Sequence, residues 1–276
     1  DREKGEYGRR ISELEKSMDF QLDLLQKQAV EEALTKGVVV VTGGPGTGKT
    51  TTINLMIRCF EMEKMDIVLA APTGRAAKRM TEATGYEAKT IHRLLEVSGG
   101  IEDGDSSHFE KNEDNPIEAD AVILDEMSMV DIHLMYSLLK AIVPGTRLIL
   151  VGDSNQLPSV GPGNVLKDII DSKAFSVVRL SKIYRQAESS HIVLNAHKIN
   201  AGELITLDNK NKDFFFFEKK DVRSVMGALV YLVKTRLPEY IGASPFEIQV
   251  LTPMRKGELG VEHLNEVLQY LSLMHI

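Results

Sequence analysis

A glycine-rich loop between a predicted strand and a predicted helix has the clearest chemical use in this sequence. It consists of Gly43, Gly44, Pro45, Gly46, Thr47, Gly48, Lys49 and Thr50, which fit the pattern G-x-x-x-x-G-K-[ST]. Four consecutive valines precede the loop, and a helical stretch from Thr51 to Phe60 follows it. Glycines let backbone N–H groups turn onto phosphate oxygens, and the positive end of a helix attracts the same charge. The loop therefore predicts a phosphate site, in which Lys49 bridges the β- and γ-phosphates of a nucleotide and Thr50 binds Mg²⁺.

A pair of carboxylates follows a second apolar run. Asp125 and Glu126 come directly after residues 121–124, which are Ala-Val-Ile-Leu. In an open parallel sheet this position is the carboxyl edge, where ligands bind. We therefore expect Asp125 to hold Mg²⁺ and Glu126 to activate the attacking water. The alternative is that the pair belongs to the capped start of a helix near Asp131.

Two further side chains suit chemistry at a γ-phosphate. Gln156 follows the apolar run that ends at Val151, and Arg185 lies in a Tyr-Arg-Gln sequence further along the chain. A neutral amide can position water, and an arginine that reaches the γ-phosphate can raise turnover by ~10³ to 10⁵. From the residues alone, an ordinary turn glutamine and a surface arginine are the alternatives.

The order of elements predicts an α/β fold with a parallel sheet and helices on both faces. Its four clearest strands are apolar throughout, as strands covered on both faces should be: 38–41, 67–70, 121–124 and 148–151. Later strands are predicted at 177–178, 214–217 and 248–251, with helical spacing of apolar residues at 222–233 and 261–271. The predicted organisation is an N-terminal helix or linker at 1–20, a first domain at 21–174, and a partial second domain at 175–276.

Composition excludes several classes of protein. The 276 residues are 43% hydrophobic and 26% charged, which is typical of a globular chain. No apolar stretch is long enough for a membrane span, and the first residues do not resemble a signal peptide, so we expect a soluble, cytoplasmic protein. A single cysteine, Cys59, excludes a disulfide scaffold and is expected to pack in the core.

The net charge of -7 is unevenly distributed. Residues 101–120 carry eight acids and one base, so the remainder of the chain is close to neutral. Between Arg75 and Arg93 there are five bases and two acids. This stretch is either a basic groove for nucleic acid or a solvated helix face, because binding depends on the local field rather than on total charge.

Seven segments together resemble the RecD/TraA-type DNA helicases of superfamily 1, the group that contains the exodeoxyribonuclease V alpha chain. They occur in the family's order, and the resemblance runs from about residue 20 to about residue 270. The segments are residues 43–51, 71–77, 90–95, 125–131, 152–163, 184–186 and 251–255.

This resemblance implies ATP-driven, 5′-to-3′ movement on single-stranded DNA, with ATP and Mg²⁺ bound between two RecA-like domains. It also implies a role in recombination or repair. The positions that correspond to the ATP site are Gln26 and Tyr184 for the adenine, residues 44–51 for the phosphates, Thr50 and Asp125 for Mg²⁺, and Lys49, Glu126, Gln156 and Arg185 for catalysis.

The same resemblance implies contacts with DNA. The corresponding residues are Thr73, Arg75, Thr90, His92 and Thr252, with Arg255 as a further candidate. For His92, a core or capping role is the alternative. The acidic segment 98–119 occupies the place of a strand-separating pin in the family, although a plain surface loop explains it equally well. The four phenylalanines at 214–217 could stack on bases, but an ordinary strand is the favoured interpretation.

One departure from the family concerns its later motifs. A T-x-H-x-x-Q-G stretch and a distal arginine have no counterpart in the 276 residues. We therefore expect a fragment of a longer protein that binds nucleotide and hydrolyses it slowly. Three readings remain open: a helicase, a nucleotide-gated DNA-binding subunit of a larger nuclease complex, and a P-loop ATPase that acts on RNA or protein.

Overall fold

The computed structural model describes residues 8–9, 11–16, 21–98, 108–184 and 189–273. The chain divides into two compact units. The first consists of residues 1–206 and 211–214, and the second consists of residues 207–210 and 215–276.

A parallel sheet forms the centre of the first unit. The strands of this unit are β1 (Val38–Gly43), β2 (Ile67–Ala71), β3 (Ala88–Thr90), β4 (Val97–Ser98), β5 (His108–Phe109), β6 (Ala121–Leu124), β7 (Arg147–Gly152) and β8 (Ser176–Leu180). The sheet has the order β3-β2-β6-β7-β1-β8, and every neighbouring pair in it is parallel. The predicted α/β fold class is confirmed, and the four apolar runs are its central strands.

Helices cover both faces of this sheet. They are α1 (Leu24–Thr35), α2 (Lys49–Met62), α3 (Gly74–Thr84), α4 (Ile91–Leu94), α5 (Ile132–Ala141), α6 (Val165–Ser172) and α7 (His191–Asn200), with a 3₁₀ turn at Met127–Met129. Residues 11–16 are also helical. Successive strand residues face opposite sides, so Val39 and Val41 pack with α1 and α2, whereas Val40 packs with α5 and α6. Cys59 is buried in the first of these two cores, as predicted.

Short polar side chains fix where several helices begin. Asp23, Thr73, Asp131 and Ser190 each accept a hydrogen bond from a backbone N–H of the helix that follows. Such caps satisfy donors that have no partner within the helix. As a result, α3 begins just after β2, and α5 begins just after the 3₁₀ turn.

The division between the units lies later than the sequence suggests. The sequence places a second domain from residue 175, but β8 pairs with β1 in the first sheet. The first unit therefore extends to residue 206. The physical reason is that the short β8 run obtains its backbone hydrogen bonds from the neighbouring β1, which a count of apolar residues does not reveal.

A small antiparallel ladder joins the start of the acidic segment to residues within it. Strands β4 and β5 pair in the antiparallel direction, with Val97 opposite Phe109. Antiparallel neighbours are the geometry of a hairpin, one of the two predicted forms of segment 98–119. Residues 99–107 lie outside the described residues.

The second unit is helical in the residues that the structure describes. Its elements are α8 (Val222–Tyr231), a π-helical turn at Leu232–Arg236, α9 (Leu237–Ile241), a 3₁₀ turn at Pro245–Glu247 and α10 (Val261–Leu273). Both stretches with helical spacing are therefore helices. The predicted strands at 214–217 and 248–251 are wrong, because neither segment pairs with a strand among the described residues. Instead, the Asn209 side chain bonds both backbone groups of Phe216, at 2.8 and 2.7 Å.

Within the described part of the chain, no helix combines the length and the apolar character that a membrane span requires.

Candidate nucleotide-binding site

The glycine-rich loop connects β1 to α2 at the carboxyl edge of the sheet. Gly46 and Gly48 have φ angles of 74° and 81°, in the left-handed region that favours glycine. Gly48 immediately precedes the first residue of α2, so the backbone turns sharply into the helix. The loop thus brings the amino end of a 14-residue helix to the sheet edge, as the sequence predicts.

Protein donors hold the carbonyl groups of this loop. Lys49 Nζ donates to the carbonyl oxygens of Gly43 and Gly44 at 2.7 and 3.1 Å, and Thr47 Oγ1 also donates to Gly44 at 2.8 Å. The backbone N–H of Tyr184 donates to the Gly46 carbonyl at 3.3 Å. Because these carbonyls have partners within the protein, the loop is fixed in a turn whose N–H groups remain available to a phosphate.

The carboxylate pair lies where β6 ends. Asp125 Oδ1 accepts a hydrogen bond from the Glu126 backbone N–H at 2.8 Å, and the Asp125 N–H donates to Ala70 at 3.0 Å. Glu126 has a φ of 55° and a ψ of 40°, which places a glutamate in the left-handed region. Such backbone strain in a non-glycine residue persists where the surrounding structure enforces it, and it concentrates at functional sites. The predicted catalytic base therefore stands at a strained position.

Burial controls the charge of both acids. It raises the pKa of the Asp125 carboxyl, against the opposing effects of the Glu126 N–H, Lys49 and Arg79. The pKa of Glu126 is raised first by burial and then by the neighbouring Asp125 carboxylate, while Lys49 and Arg79 oppose the shift. A carboxylate with a raised pKa is a better proton acceptor, so Glu126 has the property that a general base requires.

A single cavity joins the loop to the acids. Its volume is about 510 Å³, and it lies between the amino end of α2, helix α3 and the end of β6. Its polar and charged lining residues are Lys49, Thr50, Arg79, Glu82, Thr84, Asp125 and Glu126. The structure therefore brings Lys49, Thr50 and both carboxylates together.

These oxygen donors fit Mg²⁺ in the manner of a phosphate-assisted site. Thr50 and Asp125 line the same cavity, and hard oxygen ligands such as hydroxyl and carboxylate groups suit Mg²⁺. Among the described residues, no group of three or more His, Cys, Asp or Glu side chains forms a site by itself. Mg²⁺ commonly binds through one or two protein ligands together with substrate phosphates, and this cavity offers that arrangement.

On the other side of the loop, Gln26 and Tyr184 meet. Gln26 is fully buried, and its Nε2 donates to the Gly48 carbonyl at 3.4 Å. The Tyr184 hydroxyl contacts both the side-chain oxygen of Gln26 and the carboxylate of Asp23, the latter at 2.9 Å. A Cβ atom at Gly48 would lie 2.6 Å from Gln26 and 3.0 Å from Tyr184, so both side chains lie close against the loop backbone.

The remaining predicted residues of the nucleotide site are less closely assembled. Gln156 lies on the exposed loop after β7, at the same sheet edge. That loop is tied to β1 because the Ser154 N–H donates to Thr42 Oγ1 at 3.3 Å. Arg185 lies outside the described residues, so its predicted role stays a prediction.

The predicted DNA residues of the first unit lie just after β2 and at the end of β3. Thr73 caps α3, and Thr90, which pairs with the last residue of β2, caps α4. Arg75 is exposed on α3, and the His92 ring lies 6.0 Å from the Phe109 ring. Both threonine side-chain oxygens accept helix N–H groups, so both residues are helix caps, and their DNA role stays a prediction. In the second unit, Thr252 Oγ1 donates to the Leu259 carbonyl at 2.7 Å.

Three residues near the site were not predicted from the sequence: Asp23, Arg79 and His197. For Asp23, the spacing to Gln26 is that of a capping box, and both of its reciprocal bonds are present, so this signal could have found it. Arg79 lies on α3, within the basic stretch already noted. His197 approaches the loop from α7, and no local pattern marks it.

Comparisons with known proteins are consistent with this geometry. Residues 26–162 match the family model described as AAA domain. The chain is 37% identical over 246 residues to the ATP-dependent RecD2 DNA helicase of Deinococcus radiodurans, covering 89% of this chain and 32% of that protein. It is 36% identical over 284 residues to the RecBCD enzyme subunit RecD of Mycobacterium tuberculosis, covering 88% of this chain and 48% of that protein. The chain thus spans about a third of the first relative and about half of the second.

Among solved structures, the Pif1 helicase from Candida albicans aligns with a TM-score of 0.51 and 19% sequence identity. The alignment covers 80% of this chain and 55% of that structure. At this identity the likeness concerns the fold, which agrees with the parallel sheet of the first unit.

Proposed function

Because this chain contains an AAA domain and is a homologue of RecD-type helicases over most of its length, we propose that it is the ATP-binding core of an ATP-dependent DNA helicase. The observation that carries the proposal is the cavity that Lys49, Thr50, Asp125 and Glu126 share. A phosphate loop alone indicates nucleotide binding, whereas a cavity that also contains a half-buried carboxylate pair supplies what hydrolysis needs.

Each residue of this cavity has a chemical task in the proposal. Lys49 binds the β- and γ-phosphates, and Thr50 and Asp125 hold Mg²⁺. When bound, the ion neutralises phosphate charge and orients the γ-phosphate. Glu126 accepts the proton of the attacking water, for which its raised pKa is suited.

The adenine is assigned to the opposite side of the loop. Gln26 is fully buried beside the loop, with its side-chain amide bonded to Gly48 and Tyr184, and Tyr184 places an aromatic ring next to it. Gln156 and Arg185 complete the proposed catalytic set as the γ-phosphate sensor and the arginine finger. Their assignment rests on the resemblance to the family.

Single-stranded DNA is the proposed track. Thr73 and Arg75 follow β2, Thr90 ends β3 and His92 follows it, and Thr252 is proposed as a contact from the second unit. Backbone N–H groups and short side chains at such an edge contact phosphates without reading sequence. We also propose 5′-to-3′ polarity, action in recombination or repair, and cytoplasmic localisation.

A second candidate function is a nucleotide-gated DNA-binding subunit of a larger nuclease complex. The similarity to a protein named as a RecBCD subunit favours it. Affinity purification of the full-length protein separates the two candidates. Stoichiometric companion chains would support the subunit, and a monomer that unwinds DNA alone would support the helicase.

The proposal is tested by binding of a fluorescent, non-hydrolysable ATP analogue, with and without a single-stranded oligonucleotide. We compare the wild type with Lys49→Ala, and we use Lys167→Ala, an exposed lysine on α6, as the matched control. We expect the wild type and Lys167→Ala to bind the analogue and Lys49→Ala not to bind it. We also expect single-stranded DNA to strengthen the binding. Binding that is absent in the wild type, or unaffected by Lys49→Ala, would refute the nucleotide site. Stimulation by RNA but not by DNA would indicate another substrate.

A further inference from the structure

Helix α7 places an imidazole ring against the phosphate loop. His197 Nε2 lies 3.2 Å from the carbonyl oxygen of Pro45, within hydrogen-bonding distance, although the two residues are 152 positions apart. A Cβ atom built on Gly44 would lie 2.7 Å from His197 Cε1. The ring therefore fills the space that any other residue at position 44 would need.

This contact explains the glycine at position 44, where the loop pattern allows any residue. The pattern G-x-x-x-x-G-K-[ST] specifies glycine at 43 and 48 but accepts any residue at 44. The φ angle of Gly44 is not among the positive values found at Gly46 and Gly48, so its backbone alone does not require glycine. What disfavours a larger residue at 44 is the close approach of His197, because a Cβ there would force the ring to move.

The His197 contact also completes a series of carbonyl partners. The carbonyls of Gly43 and Gly44 accept bonds from Lys49, and that of Gly46 accepts a bond from the Tyr184 N–H. Pro45 lies between them, and His197 is its partner. Among the carbonyls of residues 43–46, only that of Pro45 is bonded by neither the loop itself nor Tyr184. Removing the His197 side chain would therefore remove the hydrogen bond to Pro45.

The helix that carries His197 is anchored at its start. Ser190 Oγ donates to Asp213 Oδ2 at 2.6 Å, and the His191 N–H donates to Asp213 Oδ1 at 3.0 Å. Helix α7 ends at Asn200, and it is the last helix of the first unit before the chain enters the second unit at residue 207.

We propose that His197 is a positioning residue of the phosphate loop. Its Nε2–H donates to the Pro45 carbonyl and keeps the turn at 44–46 in the conformation that presents the loop N–H groups to phosphate. Through this bond, the conformation of the loop depends on the position of α7. The role in nucleotide binding rests on the function proposed above, whereas the effect on the loop itself does not.

The first test compares His197→Ala with His197→Gln, whose side-chain amide nitrogen can replace Nε2 as a donor. His133→Ala, which removes an exposed histidine from α5, is the control. Hydrogen–deuterium exchange of residues 44–48 is measured without nucleotide, and affinity is measured with the fluorescent ATP analogue. We expect faster exchange and about fivefold weaker binding for His197→Ala, and values within about twofold of the wild type for His197→Gln and His133→Ala.

The inference requires that Lys49→Ala abolishes binding, which shows that the assay reports the phosphate loop. If it does, and His197→Ala changes neither the exchange of residues 44–48 nor the affinity, the inference is overturned. Equal losses in His197→Ala and His197→Gln would overturn the hydrogen-bond role. If the wild type binds no nucleotide, the proposed function fails, and the exchange of residues 44–48 still decides whether His197 holds the loop.

A second test uses the close approach at Gly44. An alanine there must displace the His197 ring, so Gly44→Ala should lower the melting temperature of the wild type. In the His197→Ala background the space is open, and the same change should have a smaller effect. Equal effects of Gly44→Ala in both backgrounds would show that the two residues are not coupled.

Discussion

The Tyr184 hydroxyl donates a hydrogen bond to the carboxylate of Asp23, 161 positions earlier in the chain, at 2.9 Å. The same hydroxyl contacts the side-chain oxygen of Gln26. Burial, followed by the hydrogen bond and charge of Asp23, raises the pKa of Tyr184, so the phenol stays protonated and remains a donor near neutral pH. The residue predicted to stack on adenine is thus bonded to the cap of the helix that carries Gln26.

The first prediction concerns the selection of the base. Tyr184→Phe keeps an aromatic face but removes the hydroxyl that Asp23 and Gln26 share, so the Gln26 amide is less well oriented. We expect the preference for ATP over GTP analogues to fall about fivefold, the effect of one hydrogen bond of ~1 kcal/mol. Binding titrations with both analogues measure it, and Tyr231→Phe, an exposed tyrosine of α8, is the control. A preference that is unchanged in Tyr184→Phe would contradict the assigned role.

The second prediction concerns Asp125, whose charge is expected to reduce the stability of the protein while it supports Mg²⁺ binding. Burial raises the pKa of Asp125, so the charged carboxylate destabilises the folded state at neutral pH. Asp125→Asn should therefore raise the melting temperature, by about 2–4 °C for each kcal/mol gained. The same change should increase the Mg²⁺ concentration needed for binding of the ATP analogue.

The sign of the pH dependence follows from the direction of the shift. When folding raises the pKa of a carboxyl, the cost to stability grows as the pH rises from the unfolded-state pKa to the folded-state pKa, and it is constant above that. The stability advantage of Asp125→Asn should therefore shrink as the pH falls into the range where the native carboxyl is protonated. Thermal melts across pH measure this, with Asp114→Asn, at an exposed loop position, as the control. An advantage that stays constant with pH would mean that charge burial is not its cause.

The third prediction tests the strained backbone at Glu126. Its φ of 55° suits asparagine better than glutamine, and the left-handed conformation costs other residues about 1–2 kcal/mol. We therefore expect Glu126→Asn to melt at a higher temperature than Glu126→Gln. Both variants should bind the ATP analogue, and both should release phosphate about 10²-fold more slowly, because neither side chain is a base.

A helical glutamate provides the control for this comparison. At Glu61, which is exposed on α2, glutamine is the better helix former, so the order of the two variants should be reversed. The same order at both positions would show that the backbone at Glu126 is not the cause.

The fourth prediction concerns DNA. Arg75→Ala should weaken binding to single-stranded oligonucleotides of any sequence, and it should reduce the slope of log affinity against log salt by about 0.7. Arg58→Ala, which removes an exposed arginine from α2, should change neither quantity. Fluorescence anisotropy at several salt concentrations measures both. An unchanged slope in Arg75→Ala would exclude a phosphate contact at this residue.

Much of the first unit was predictable because its signals are local. The runs that form β1, β2, β6 and β7 are apolar throughout, since each strand is covered on both faces. The loop of residues 43–50 is defined by residue types that its backbone demands, above all glycine at 46 and 48. Asp125 and Glu126 could be placed at the sheet edge because they follow a buried strand of a parallel sheet.

The failures concern structure that depends on a distant partner. Residues 214–217 and 248–251 are rich in strand-forming residues, but a strand needs a neighbouring ladder, and the Asn209 side chain bonds Phe216 instead. The boundary predicted at 175 did not take account of the pairing of β8 with β1. The sequence of either strand alone does not specify which strand it pairs with.

The sequence by itself determined the phosphate loop, the acid pair and the parallel sheet that carries them, because each depends on residues that are close together in the chain. Tertiary structure alone decided that Asp23 and Gln26 meet Tyr184, that Arg79 shares a cavity with Glu126, and that His197 rests on Gly44 and Pro45. Each of these contacts joins helices or loops that only the packing of the sheet brings together. These contacts depend on distances between side chains and on burial in the folded protein. The spacing of residues along the chain does not specify either.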